Sequence, residues 1–387
     1  MRNLIHCSTI DKSVKPEISS HNNVNSSVIA NGDLVKQAEV AGRCTLAKPR
    51  EREYEAQFFS VNLPGQLDYK KLQETGVSKI IIRVFQDDGK EGGLFFRNTV
   101  FRTIAPRLEE ICAEIGSPEH GANIDLCAWM ITRKFNWVNY TNLFDYAYKN
   151  GSRILIKKFD LFNPEAIDKI VRIYRELALK KIDCILIQDD FFLRYNEGFS
   201  NWGKAAFARA AGSPARESMM LQKNTPYNKK WKQVKGEQIN KVLALIIKNC
   251  REVNPAVKIG MNIYYETPIY IEQGEAWYSH NLREIVKTGI DYIYLMSYQR
   301  QIKEELGLVE SNNRIMFRRI LERAYGICKD KLIVKLQVRD WGTGERIPIP
   351  EVRAYLNIIP EDVKRICFTP TKPDDIDYLK ELIKKNI

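Results

Sequence analysis

From Tyr54 to its last residues the chain repeats one alternation eight times: a short run of β-branched or aromatic residues, then an amphipathic helical stretch. This rhythm constrains the fold more than any other feature, because strands separated by helices lie parallel and need helices to cover the sheet. The predicted strands are Ala56–Leu63, Val77–Phe85, Asn123–Ile131, Asp183–Asp189, Val257–Tyr265, Asp291–Tyr298, Lys331–Val338 and Val363–Thr369. The helices expected between and after them are Leu67–Glu74, Val100–Ile115, Pro164–Leu179, Trp231–Glu252, Glu275–Lys287, Asn313–Cys328, Pro350–Ile358 and Asp374–Lys385. Pro164 and Pro350 stand near helix starts, where a missing N–H costs nothing. Eight such units predict a closed (β/α)8 TIM-like barrel of the α/β class, with its active site at the strand C-termini. A doubly wound open sheet ranks second. It would normally carry a glycine-rich phosphate loop after its first strand, and Leu63–Lys70 (LPGQLDYK) holds one Gly.

Residues 1 to about 52 are of a different kind. Asn22–Gly32 is rich in Asn and Ser, lacks aromatics and has no sustained period, which predicts a mobile, disordered leader over 1–52 ahead of a single domain over 53–387. Its start, MRNLIHC, has a positive residue and an apolar pair before Cys7, too short an apolar region for a lipoprotein signal. Nowhere do roughly 18 apolar residues follow one another, so no membrane span is expected. The 60 Lys and Arg against 48 Asp and Glu give a formal net charge of +12, spread over many helical positions. A basic surface favours anionic partners in general, but zinc-finger spacing, RNA-recognition aromatics and a basic region leading into heptads are all missing, and nucleic acid is not an expected partner. Cys112, Cys127, Cys184, Cys250, Cys328 and Cys367 each lie within an apolar helix or strand pattern and read as buried free thiols. With four His and no C-x-x-C pair, neither a zinc site nor another metal or cofactor is expected.

The residues at the predicted strand ends test the barrel, because a ligand site should converge on one rim. Asn62 follows the first strand; Gln86, Asp87 and Asp88 the second; Trp129 and Arg133 the third; Asp189 and Asp190 the fourth. Asn262, Tyr264 and Glu266 close the fifth, Tyr298 and Gln299 the sixth, Gln337, Arg339, Asp340 and Trp341 the seventh, and Thr369 the eighth. Carboxylates mixed with Trp and Tyr suit carbohydrate, whose rings stack on aromatics and whose hydroxyls need polar partners. The competing readings are structural: Trp129 as core, Asp87–Asp88–Gly89 as a turn, and Tyr292, Tyr294 and Met296 facing the helix layer. Trp341 and Trp277 lie beside glycine-containing loops and are the stronger platform candidates.

The fourth strand carries the chemistry. Ile182–Phe191 (IDCILIQDDF) runs an apolar segment into Gln188 and two adjacent carboxylates, Asp189 and Asp190. Neighbouring residues of a strand face opposite ways, so the two should have unequal roles: one a general acid, the other its positioning or pKa-tuning partner. Glycosidic cleavage ordinarily takes two carboxyl groups, about 5 to 5.5 Å apart for retention and about 6.5 to 9.5 Å for inversion. The second could be Glu266 or Asp340, or the substrate's own 2-acetamido oxygen could act instead. Capping or turn formation is the structural alternative for Asp189 and Asp190.

The segments AWM, ILIQDDFFL, NWGKAAFARAAG, NIYY, GEAWYSHN, YLMSY and LQVRDW, in this order, resemble the C-terminal hydrolase domain of the bacterial poly-β-1,6-N-acetylglucosamine N-deacetylases of biofilm export, glycoside hydrolase family 153. The likeness runs from about Glu55 to the C-terminus. It implies a (β/α)8 glycoside hydrolase cleaving partly de-N-acetylated β-1,6-linked glucosamine polymer, with an Asp of the Asp189–Asp190 pair as essential acid, sugar stacking at Trp277 and Trp341, and a periplasmic or cell-envelope location. Three departures stand out. The family's His before the pair is Gln188, its acidic residue beyond the sixth strand is replaced within Tyr298–Gln299–Arg300–Gln301, and the preceding metal-dependent deacetylase domain has too few residues to exist before Tyr54. The expected substrate-binding set is Asp87, Trp129, Asn262, Tyr264, Trp277, Tyr298, Gln337 and Trp341. A non-catalytic polysaccharide-binding or export module on the same barrel is the alternative function.

Overall fold

The computed structural model describes residues 52–87, 89–118 and 122–384. The predicted leader, Arg52 apart, lies outside the described residues, as does Asp88. Eight parallel strands close into a barrel: β1 (Glu53–Phe58), β2 (Val77–Arg83), β3 (Asp125–Met130), β4 (Cys184–Ile187), β5 (Lys258–Tyr264), β6 (Tyr292–Met296), β7 (Leu332–Gln337) and β8 (Arg365–Thr371). Each pairs with its sequence neighbours, and β8 closes on β1 in register Glu53↔Arg365 through Ala56↔Phe368. An ion pair marks this seam, with Arg365 Nε 2.8 Å from Glu53 Oε2. The strands are short apolar runs because both faces are covered, one by helices and one by the barrel interior.

The interior is unusually polar. Lys79 Nζ lies 3.1 Å from Glu55 Oε1, and Tyr294 Oη donates to Glu55 Oε2 at 2.8 Å from the far side of the barrel, all three residues buried. This explains why β1 begins at Glu53, three residues before the predicted Ala56: the polar start of the strand is an interior ion pair. It also corrects the orientation expected for Tyr294, which faces the interior. Gly260 lies on the neighbouring strand β5, where an added Cβ would come within 2.5 Å of the Tyr294 ring. Above this layer Lys335 Nζ donates to Asn262 Oδ1 at 3.0 Å and Thr369 Oγ1 to Gln57 Oε1 at 3.3 Å.

The helices follow their caps. Asn163 Oδ1 accepts from Glu165 N at 3.0 Å to start Pro164–Ala178, and Thr225 Oγ1 accepts from Asn228 N at 3.0 Å to start Pro226–Val253, five residues before the predicted Trp231. The predicted Glu275–Lys287 helix is two helices, Ile271–Tyr278 and Leu282–Lys287, because Ser279 turns left-handed (φ 56°) and Asn281 caps anew. Between β3 and the Pro164–Ala178 helix lies an antiparallel hairpin, Phe144–Lys149 with Ser152–Phe159, that the strand count did not include. All six described cysteines are free, and five are buried. No helix among the described residues is long and apolar enough to cross a membrane.

Candidate active site at the barrel mouth

β4 ends at Ile187, and Gln188 N still bonds Met130 O (2.9 Å) before the ladder with β3 stops. Beyond that point the chain turns, so the strand's alternation no longer dictates where Asp189 and Asp190 aim. Their environments differ sharply. Asp190 is 2 % exposed and its carboxylate accepts from three successive backbone amides: Thr132 N at 3.0 Å, Arg133 N at 2.6 Å and Lys134 N at 2.8 Å. Burial pushes the Asp190 carboxyl above the usual carboxylate range, the Arg133 and Lys134 N–H groups and the Lys134 charge hold it down, and the Asp189 charge pushes the same way as burial. A carboxylate so engaged anchors the turn after β3.

Asp189 is 8 % exposed and stands beside β5, where Tyr264 Oη donates to its Oδ2 at 3.2 Å. Tyr264 stacks on Tyr278, ring centroids 4.2 Å apart and 7° from parallel, and Tyr278 Oη donates to Glu266 Oε1 at 3.3 Å. A phenol–phenol pair thus connects the two carboxylates at the ends of β4 and β5. Burial, then the Glu266 and Glu305 charges, raise the Tyr278 phenol well above its ordinary value, which keeps it a proton-bearing donor toward Glu266. Asp340, the other expected second carboxylate, is turned outward. It binds Arg300 Nη1 at 2.9 Å and accepts from Gly342 N and Thr343 N within its own turn, and these contacts hold its carboxyl below the usual range.

The predicted sugar-binding residues fall into two groups. Trp129, Tyr298 and Trp341 join Phe85 and Phe59 in one arc of edge-to-face rings across the mouth: Phe85–Trp129 5.6 Å, Trp129–Phe59 4.7 Å, Phe59–Trp341 5.6 Å and Trp341–Tyr298 5.2 Å. Asn262 and Gln337 are buried below this arc. Trp277 belongs to a second cluster, edge-on at 6.3 Å to Tyr278, whose ring stacks on Tyr264. Asp87 is partly exposed in the loop after β2, its carbonyl accepting from Asn136 Nδ2 at 3.3 Å, and is in neither group. Gln188, the departure from the family's His, accepts from the indole N–H of Trp129, which fixes that ring.

Phe59, Phe85, Tyr278, Lys335 and Phe192, which packs edge-on against Tyr264 and Tyr278, went unpredicted. Lys335 left a signal, a lysine inside an otherwise apolar strand run. Tyr278 left one only by adjacency to Trp277. Arg133, expected at the rim, is instead fully buried: Nη2 bonds Asp145 Oδ2 at 2.9 Å, Nη1 bonds Glu197 Oε2 at 2.9 Å, and Nε bonds Phe159 O at 2.9 Å. Arg339 is buried too and bonds Asp375 Oδ1 at 2.6 Å. Among the described residues no group of three or more His, Cys, Asp or Glu is arranged to hold a metal ion. A surface cleft of about 780 Å³ lined by Arg300, Lys303, Glu310, Arg314 and Tyr355 includes none of the predicted sugar-binding residues.

Residues 66–366, well over half of the chain, match the family model described as GHL13, hypothetical glycosyl hydrolase family 13. The chain belongs to that family. Three solved structures share the fold of this glycosyl hydrolase family member. The PgaB (BpsB) glycoside hydrolase domain from Bordetella bronchiseptica superposes with a TM-score of 0.70 at 17% identity, over 86% of this chain and 99% of that one. The catalytic domain of β-amylase from Paenibacillus polymyxa gives 0.54 at 11%, over 87% and 99%. A GH42 β-galactosidase from G. stearothermophilus, Gan42B, gives 0.61 at 11%, over 87% of this chain and 57% of that one. No curated protein sequence matches the chain. The rim aromatics and the Asp189 and Glu266 side chains lie at or past the C-terminal ends of barrel strands, the face on which barrels of this fold carry their sites.

Proposed function

We propose that the protein is a glycoside hydrolase acting on a β-linked, partly de-N-acetylated N-acetylglucosamine polysaccharide, with Asp189 as general acid. The observation that carries this reading is the division of labour within the acidic pair. The Asp190 carboxylate is committed to three backbone amides, whereas that of Asp189 accepts from the Tyr264 phenol beside β5. Asp189 then gives its proton to the glycosidic oxygen as the bond to the anomeric carbon breaks, a water takes that carbon, and the proton the water loses returns to a carboxylate of the site. Tyr264 orients the carboxyl group. Glu266 is the second carboxylate, oriented by Tyr278, in preference to the outward-turned Asp340. The resemblance of the strand-end segments to the poly-β-1,6-N-acetylglucosamine hydrolase domains supports a hexosamine polymer as substrate, and the PgaB glycoside hydrolase domain shares the fold.

The test is release of short oligosaccharides from de-N-acetylated β-1,6-glucosamine polymer. Asp189→Asn is expected to lower turnover by about 10²- to 10⁴-fold, the usual range for a lost general acid, with the melting temperature nearly unchanged. Asp190→Asn should lower the melting temperature. Undiminished cleavage by Asp189→Asn sinks the assignment. One observation favours the second reading, a polysaccharide-binding module without catalysis: Gln188 is held by Trp129 and offers Asp189 no titratable neighbour. Oligosaccharide binding lost in Trp341→Ala, with no turnover of any hexosamine polymer, would select it.

A further inference from the structure

Three successive residues past the end of β6 grip the chain past the end of β7. The Tyr298 ring meets Trp341 edge-on at 5.2 Å. The Gln299 side chain spans the Gln337 backbone, its Nε2 donating to Gln337 O at 2.7 Å and its Oε1 accepting from Gln337 N at 3.0 Å. Arg300 forks between two carboxylates: Nε and Nη2 donate to Glu351 Oε1 and Oε2 at 2.7 and 2.6 Å, and Nη1 donates to Asp340 Oδ2 at 2.9 Å. Asp340 passes this hold to the turn that carries Trp341. Its other carboxylate oxygen accepts from Gly342 N at 2.9 Å and Thr343 N at 3.0 Å, and its backbone closes the turn, Asp340 N donating to Glu345 O at 2.8 Å and Gly344 N to Asp340 O at 2.9 Å. Arg300 lies in the helix Gln299–Leu306 and Glu351 in the first turn of Ile349–Leu356, so the fork ties the Trp341 turn to two helices. Gly342 and Thr343 are exposed, and a large ring beside such residues keeps its place only through an outside anchor. Charge-assisted bonds from one planar guanidinium are the strong, directional kind.

We propose that Arg300 is a positioning residue for the sugar-binding rim, a reading that rests on the hydrolase function above. By holding Asp340 it sets the Trp341 ring where a sugar stacks, without itself meeting the polymer. Lysine is a poor substitute, because an ammonium is a point charge that lacks the fork matching carboxylate geometry. The side chains of Arg300, Asp340 and Glu351 are 35, 26 and 30 % exposed, so replacing Arg300 leaves no deeply buried charge unpaired and the variants should fold. Charge alone would give the opposite result. Removing a cation near a cationic glucosamine polymer tightens binding, whereas a displaced Trp341 ring weakens it. The sign of the change in KM separates the two.

The experiment compares cleavage of de-N-acetylated β-1,6-glucosamine polymer by wild type, Arg300→Met and Arg300→Lys, each below its unfolding temperature. Expected in both variants is a KM raised about three- to tenfold, the loss due to one misplaced ring contact, with kcat unchanged because Asp189 and Tyr264 belong to other strands. A lower or unchanged KM overturns the proposal. A fall in kcat at constant KM does the same, since a merely structural role reduces the active fraction. Full recovery in Arg300→Lys also overturns it, because charge without the fork would then suffice. A second measurement needs no turnover: acrylamide quenching of Trp341 emission, taken as the difference between each protein and the same protein carrying Trp341→Phe. Quenching should rise about twofold in Arg300→Met as the turn loses its anchor, and unchanged quenching overturns the proposal. If wild type cleaves nothing, the hydrolase reading falls, and quenching alone decides whether Arg300 holds the ring.

Discussion

At the scale of single residues the site is a set of side chains whose charge is managed by burial. Asp189 and Asp190 are adjacent in sequence, yet one faces a phenol and the other a row of amides. Behind them, Lys235 is fully buried in the Pro226–Val253 helix and donates to Arg194 O at 2.7 Å, on the chain that follows the acidic pair. Burial pushes its amine down to about 7, against the Glu197 and Asp145 charges that push it up. An unfolded Lys titrates at about 10.4, so between pH ~7 and ~10 the unfolded state binds one more proton than the folded state, and stability rises with pH across that window and levels off below it. Lys235→Met removes this dependence. Its gain in unfolding free energy over wild type should be largest near pH 7 and shrink by up to about 1.4 kcal/mol per pH unit toward pH 9, as read from urea denaturation at each pH. A constant difference would mean that Lys235 stays charged.

At the scale of elements, the mouth near Asp189 is built by segments tied together under it. The Phe144–Phe159 hairpin, the turn after β3 and the chain after β4 all converge on Arg133, whose guanidinium meets Asp145, Glu197 and the carbonyls of Phe159 and Phe192. Lys158 adds a second cation to Glu197 at 2.5 Å. The helix Asn201–Ala211 closes the group: Ser200 Oγ accepts from Gly203 N at 2.9 Å, and any Cβ at Gly203 would meet Gly198 O at 1.9 Å, so only glycine lets the two backbones approach. Removing one partner of a buried charge network leaves the others uncompensated, at a cost of about 3–5 kcal/mol. Arg133→Met should therefore lower the unfolding free energy, read from urea denaturation, by that amount, and adding Asp145→Asn should recover part of it. A loss below about 1 kcal/mol would show that the hairpin is held by its aromatic contacts alone.

At the scale of the molecule, the chain carries a formal charge of +12 toward a proposed polymer whose free amines are also cationic. Like charges slow encounter, and salt relieves this because the Debye length falls from about 30 Å at 0.01 M to about 8 Å at 0.15 M. The kcat/KM on de-N-acetylated polymer is expected to rise several-fold over that range, while that on a fully N-acetylated oligomer stays flat. A fall with salt on both would point to an anionic partner for this surface instead.

The sequence by itself determined the barrel and its polarity. Eight apolar runs alternating with helices admit few other parallel arrangements, and every predicted strand overlaps a barrel strand. It also located the mouth, because acid and aromatic residues cluster where apolar runs end. Side-chain assignments beyond that depended on contacts between residues distant in the chain. Glu55 looks like a surface residue until Lys79 and Tyr294 meet it inside the barrel. Arg133 looks like a rim ligand until Asp145 and Glu197 enclose it. The roles of Asp189 and Asp190 follow the same rule. Strand alternation fixes direction only while the ladder continues, and past Ile187 it is the amides of 132–134 and the Tyr264 phenol that decide which carboxylate is bound into the fold and which faces the mouth.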